Sequence, residues 1–178
     1  MFDNSKGTDS ITTSSSTGII ERINWKPKWK IDKYKDQNDY ENGIMGETLE
    51  FDGNLLLNEG INTLLHLLIG DGTVTPYDNA NAQIGVGDST TAEAATQVDL
   101  QAATNKLYVP MNTGYPTVSN QTVNFAATFG SNQANWAWNE ITVQNSATSA
   151  LNLNRKVSNM GTKVSPAVWS VTLSITIS

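Results

Sequence analysis

The stretch WSVTLSITIS (169–178) decides the fold class. Trp169, Val171, Leu173, Ile175 and Ile177 alternate with Ser170, Thr172, Ser174, Thr176 and Ser178, a strict period of two. Successive side chains of a strand point to opposite faces, so this run has one apolar face and one hydroxyl face. It predicts a strand in a sheet that is buried on one side only. The same alternation recurs upstream, where Val123, Phe125, Ala127 and Phe129 interleave with Thr122, Asn124, Ala126 and Thr128. GSNQAN (130–135) reads as the turn after it, and 136–143 as the next strand. There Trp136 and Trp138 share a parity that Ile141 and Val143 do not, which predicts a bulge near Asn139-Glu140.

Further strands are expected at 151–157, at 106–111 with a break at Pro110, and at AQIGVG (82–87). The glycines of the last are expected to let another backbone come close. Gly114-Tyr115-Pro116 reads as a turn, 71–81 as a loop, and DSTTAEAATQ (88–97) as a surface loop or one helical turn. About seven short strands joined by polar turns make an all-β protein, a β-sandwich or jelly-roll-like domain.

One segment departs from the pattern. In LLLNEGINTLLHLLIG (55–70), Leu57, Ile61, Leu64, Leu65 and Leu68 recur at three- and four-residue spacing, which predicts an amphipathic helix over 58–69. Asn58 reads as its N-cap and Gly70 as its left-handed end. With Leu67 and Ile69 widening the stripe, the helix is expected to be a plug or lid buried against the sheets.

Of the 178 residues, 38% are hydrophobic and 16% charged, enough apolar surface for a packed core. There is no cysteine, so disulfides and thiolate metal sites are excluded. The formal charge is −6, yet six of the seven basic residues in the first fifty lie between Arg22 and Lys35. The division expected is an extended N-terminal arm over 1–50 and the sandwich over 51–178. The first eighteen residues are polar and rich in Ser and Thr, the composition of a disordered tail.

Next, Ile23, Trp25, Pro27, Trp29 and Ile31 alternate with Asn24, Lys26, Lys28 and Lys30, giving a strand with an apolar and a basic face. Pro27 donates no ladder hydrogen bond and argues for an edge. Two readings stand side by side: an edge strand of the protein's own sheet, or an arm that docks its tryptophans on a partner while its lysines face acid. The second makes Ile23, Trp25, Lys26, Pro27, Lys28, Trp29, Lys30 and Ile31 the partner-binding residues. Nucleic acid is disfavoured as a partner by the surrounding Asp32, Asp36, Asp39, Glu41, Glu47 and Glu50. Residues 36–53 read as a charged, turn-forming connection to the helix.

No catalytic, cofactor or metal site is expected. His66 is the only histidine and sits among leucines, where a packing or capping role fits best. Asp71, Asp78 and Asp88 lack EF-hand spacing, and Glu140 stands without a facing carboxylate for glycosidase chemistry. No apolar run is long enough to span a bilayer, and no signal-peptide core is present, so a soluble protein without a membrane partner is expected.

IGVGDSTTA (84–92), FAATFGSNQANWAWNEITV (125–143), LNRKV (153–157) and the final WSVTLSITIS together resemble a family of small tailed-bacteriophage virion proteins. The likeness runs over about residues 54–178 and its motifs are structural. It implies a non-enzymatic virion structural protein, a capsid decoration (cement) protein that binds the major capsid protein. It also implies trimers on the particle and a place on the capsid surface after synthesis in the bacterial host cytoplasm. The alternative within the family is a tail-fibre or baseplate accessory module that binds the host surface through exposed loop aromatics. A carbohydrate-binding module, with Trp136 or Trp138 stacked on sugar, is the third expectation.

Overall fold

The structure is a computed structural model that describes residues 24–146 and 148–178. Met1 to Gly18 and Ile23, for which a tail and a docking residue are expected, lie outside the described residues. The described chain runs β1 (Trp25–Tyr34), α1 (Gln37–Glu41), β2 (Glu47–Asp52), β3 (Leu55–Leu56), α2 (Asn58–Ile69), β4 (Gln83–Gly87), β5 (Lys106–Pro110), β6 (Thr117–Ser119), β7 (Thr122–Phe129), β8 (Ala137–Gln144), β9 (Asn154–Thr162) and β10 (Val168–Ile177). These strands form two antiparallel sheets, ordered β2-β1-β10-β7-β6 and β3-β9-β8-β4-β5. Pairing is nested, with β1 on β10, β3 on β9, β4 on β8 and β6 on β7, so the β-sandwich is jelly-roll-like as the alternation predicts.

The core lies between the two inner faces. Trp169, Val171, Leu173 and Ile175 of β10 and Phe125, Ala127 and Phe129 of β7 pack against Ile84, Val86, Trp138, Ile141 and Val143. Trp138 is central: its ring meets Phe129 and Trp169 edge to face, at centroid distances of 4.6 and 4.7 Å. That geometry brings a positive ring edge to a negative ring face. The predicted bulge is present, as a register shift between Trp138 and Glu140 where β8 meets β9. It carries Trp138 and Ile141 into the same core despite their opposite parity.

Three sequence expectations need correction. The first concerns residues 36–53, which are not a plain connection: they contain α1, capped by Asp36 accepting from the Asp39 N–H, and the full strand β2. A boundary at residue 50 therefore falls inside a strand, and β1 and β2 belong to the sandwich. The second is Pro27, which does not mark an edge, because β1 lies between β2 and β10. The Pro27 carbonyl accepts from the Gly53 N–H on the β2 side. A strand residue's N–H and C=O point the same way, so the missing donor faces the point where β2 ends.

The third correction is the orientation of α2. Its body-facing positions are Gly60, Thr63, Leu64 and Leu67, and Leu57 just before it is fully buried. Ile61, Leu65, Leu68 and Ile69 are 42, 56, 80 and 72% exposed. Gly60 sets this rotation, since any β-carbon there would overlap the Leu153 backbone. The helix approaches through its smallest residues, and its larger apolar stripe faces outward. Leu57, with no capping hydrogen bond, is the N-cap in place of Asn58, while Gly70 ends the helix in the left-handed conformation at φ +63°. Among the described residues no helix is long and apolar enough to cross a membrane.

Candidate functional site

The proposed docking strand is part of the protein's own sheet. β1 pairs with β10 over Trp25–Tyr34 and with β2 over Lys28–Lys33. Trp29 and Ile31 are fully buried and Pro27 is buried, so none of the three is available to a partner. Trp25 is half-buried, its indole N–H donating to Asn54 Oδ1 at 3.0 Å. Lys26, Lys28 and Lys30 do face outward. They are partly engaged by Ser178 Oγ at 2.9 Å, Glu50 at 2.7 Å and Asp32 at 2.8 Å respectively. Of the seven described residues expected to bind a partner, the lysines alone keep a solvent-directed head group with charge.

The most developed polar constellation is on the outer side of the other sheet. Glu140 and Arg155, from neighbouring strands β8 and β9, are both fully buried, with Arg155 Nη2 2.7 Å and Nε 2.8 Å from Glu140 Oε2. The other contacts of this pair go to the loop over 88–105. Glu140 accepts from the Ala102 N–H at 2.7 Å and the Gln101 N–H at 2.9 Å. Arg155 donates to Gln97 Oε1 at 2.9 Å and to the Thr91 carbonyl at 3.0 Å. Glu93 adds a bond from the Val157 N–H at 2.6 Å.

Gly87, opposite Glu140 in the ladder, makes room for the carboxylate, and Gly85 makes room for the Tyr108 ring. The glycines thus admit side chains where the sequence suggested a backbone. Tyr108 donates to Asp99, which is also bound by Lys106 at 2.6 Å, and burial pushes the phenol pKa upward. Every oxygen of the Glu140 carboxylate is occupied by donors and closed from solvent, so the group clamps a loop and has no access to a substrate.

The loop aspartates also serve their own loops. Asp71 Oδ2 lies 2.5 Å from His66 Nδ1 at the end of α2, and Asp71 Oδ1 accepts from the Thr73 N–H at 3.0 Å. The Thr73 amide and His66 hold the Asp71 carboxyl down at about 2. His66 is therefore a local cap, as its position suggested. Asp78 accepts from the Ala80 and Asn81 N–H groups, and Asp88 from Asn105 Nδ2 at 2.7 Å. Among the described residues no three His, Asp or Glu side chains converge on a point that would hold a metal ion. Trp138 is fully buried, with its N–H on the Ala134 carbonyl at 2.9 Å, so it presents no face to a sugar. Trp136 is half-buried.

Lys163 is fully buried, its ammonium donating to the Gly130 and Gln133 carbonyls at 2.7 and 2.9 Å and to Asn135 Oδ1 at 3.0 Å. It holds the turn between β7 and β8 closed. Burial lowers its pKa from 10.5 to about 8. Between those values the unfolded chain keeps a proton that the fold has released, so raising pH through that window favours the fold. The stability of the wild type relative to Lys163→Met is expected to rise from pH 8 to 10.5, read by urea denaturation at each pH. A difference that stays flat across the window would show that Lys163 is not strained by burial.

Two features escaped the sequence. Arg155 carries no signal of its own in LNRKV; it shares the parity of Val157, which stands opposite Glu140, and that neighbour relation is not written in the sequence of β9. The outward turn of α2 had a visible signal in Gly60, because a glycine inside a helix marks close approach. No family model, curated protein or solved structure matches this chain.

Proposed function

We propose that the chain is a non-enzymatic bacteriophage virion structural protein, a decoration protein that stabilises the head by binding the major capsid protein at the capsid surface. The observation that carries this reading is the uncovered apolar face of α2, which gathers four exposed aliphatic side chains on one short helix. Ile61, Leu65, Leu68 and Ile69 are exposed along the helix, and Leu65, Leu68 and Ile69 line a shallow groove of about 310 Å³ with Asn62 and His66. A patch of this kind marks a protein–protein contact. The resemblance of residues 84–92, 125–143, 153–157 and 169–178 to small virion proteins supplies the setting. The buried charges support a scaffold role, since Glu140, Arg155 and Lys163 all close loops.

The outward lysines of β1 give such a protein a second kind of contact, electrostatic and salt-sensitive. Wild-type protein is expected to co-sediment with undecorated heads and to slow their disruption by heat. A Lys26→Ala/Lys28→Ala/Lys30→Ala variant should lose mainly the low-salt component, because exposed pairs contribute roughly 0–1 kcal/mol each. Binding to tails or host cells and not to heads would replace this reading with the adhesion one.

A further inference from the structure

The structure assigns a binding site for a small organic cation, an ammonium or guanidinium on a short aliphatic stem, to a pocket on the outer face of the β3-β9-β8-β4-β5 sheet. The pocket lies between the 88–105 loop and the loop that leads into β9. It has a volume of about 330 Å³ and is lined by Val98, Asp99, Tyr108, Gln144, Ala150 and Asn152. That size suits a small ligand. Gly85 of β4 prepares its floor: with no β-carbon there, the Tyr108 ring lies across the strand, and Asn152 Nδ2 donates to the Tyr108 hydroxyl at 3.4 Å. The site is separate from the outer face of α2 and does not depend on any particle.

The free hydrogen-bonding capacity of the pocket is mostly acceptor. Tyr108 spends its one hydroxyl proton on Asp99. Thr142 gives its proton to the Asn154 carbonyl, so Thr142 Oγ1 takes the Asn152 Nδ2 donor at 3.0 Å, and Asn152 Oδ1 is left as the free end of that amide. Gln144 Nε2 donates to Gln83 Oε1 at 2.6 Å. Gln144 and Asn152 are only 5 and 1% exposed. Even so, among the described residues neither side-chain oxygen accepts a hydrogen bond, and neither is sealed inside the protein. Polar atoms on side chains this deeply buried are normally paired, and the cavity they line is where a partner fits.

A matching ligand must donate without needing donors in return. Ammonium and guanidinium groups carry N–H donors and no acceptor. A sugar hydroxyl both donates and accepts, and here its oxygens would go short of donors. Charge selects in the same direction. The Asp99 carboxylate is in the pocket wall, and Glu59 stands behind it on the Asn152 N–H at 2.7 Å, so Lys106 on Asp99 offsets one of two acids. Hydrogen bonds from a cation to such acceptors are shorter and stronger than neutral ones. Val98, which is 63% exposed, and Ala150 supply an apolar rim along which an aliphatic stem can lie.

The test is a titration of the ¹⁵N-labelled full-length protein, read at the side-chain amides of Gln144 and Asn152. The probes are Nα-acetyl-lysine methylamide, Nα-acetyl-arginine methylamide and putrescine. Nα-acetyl-norleucine methylamide and methyl α-glucoside are the uncharged controls. At least one cation is expected to shift both amides saturably, with a dissociation constant of about 1–10 mM for so small a ligand, and more weakly as salt is added. Asp99→Asn keeps a residue type that tolerates the local φ of +67° and should weaken binding by at least about tenfold. Ala150→Phe, which fills the mouth of the pocket, should abolish it while melting as the wild type does. Binding of the amino-acid derivatives alone marks a partner's basic side chain as the source, and binding of putrescine a free amine; both support the site. The proposal is overturned if no cation shifts the two amides, if either uncharged control shifts them as strongly, or if binding survives Ala150→Phe. Should Asp99→Asn fail to fold, because Asp99 also holds Lys106 and Tyr108, Ala150→Phe decides alone.

Discussion

Arg155→Met is expected to lower the unfolding free energy by about 3–5 kcal/mol, because it leaves the Glu140 carboxylate buried without its counter-charge. Against a total of roughly 5–15 kcal/mol for a domain, that is a severe loss. The arrangement explains why the effect should be large. Glu140 is fully buried, and the same two side chains that pair with each other also hold Thr91, Gln97, Gln101 and Ala102. Losing the pair therefore frees the 88–105 loop from the outer face of β8 and β9. Glu140→Leu should be similarly damaging, since a buried guanidinium then lacks its acceptor. The double variant Glu140→Leu/Arg155→Met should cost less than the sum of the two, as neither charge is left alone. It should still be weaker than wild type, because the Gln101 and Ala102 N–H groups lose their acceptor. Urea denaturation of the four proteins, with hydrogen exchange on the loop, reads both effects. A loss below about 1 kcal/mol for Arg155→Met, the size of a surface pair, would mean that the loop is held by other contacts.

The pair also shows where sequence reading stops. The strand pattern was legible because each strand states its own buried face: β10 and β7 place Trp169, Val171, Leu173, Phe125 and Phe129 in the core as their parity demands. Even the β8 bulge could be read, from the clash of parity between Trp138 and Ile141. Such signals are local. The Glu140–Arg155 contact depends on which strands are neighbours and in what register, and no period of two carries that information. Glu140 alone looks like a stray acid among tryptophans. It is explained only when Gly87 lies opposite it, leaving the space its carboxylate fills. β2 was missed for a related reason: its charged, exposed alternation in ETLEFD reads as a loop until β1 is known to need a neighbour.

The helix shows a different limit. Its ends were largely legible, because Gly70 caps it through a local backbone conformation. Its rotation was signalled only by Gly60, against an apolar moment that assumes the greasiest face is the buried one. On α2 the Gly60 contact with Leu153 dominates, and the face left over is aliphatic. Four exposed aliphatic side chains gathered on one helix face are a sign of a partner.

Trp29→Ala should be the other variant with a large effect, and it bears directly on how docking is to be tested. Trp29 is fully buried at the centre of β1, stacked beside Phe51 of β2 and close to the inner face of β10. Removing its side chain leaves a cavity between the sheets, and substitutions of this kind cost about 3–5 kcal/mol. Trp25→Ala should cost much less, because that residue is half-buried and its indole is fixed by one hydrogen bond to Asn54. Trp29→Phe is more informative still. The Trp29 indole nitrogen is buried without a hydrogen-bond partner, so phenylalanine removes an unsatisfied donor while it removes volume. The two changes oppose each other, and Trp29→Phe should fall well short of the alanine loss. A Trp25→Ala/Trp29→Ala protein that fails to bind heads would therefore not by itself speak to docking, since the lost stability accounts for the failure equally well. Thermal melts must come first. If Trp29→Ala melts within a few degrees of wild type, about 1 kcal/mol for a chain of this length, Trp29 does not hold the sandwich together and β1 is free to act as an arm after all.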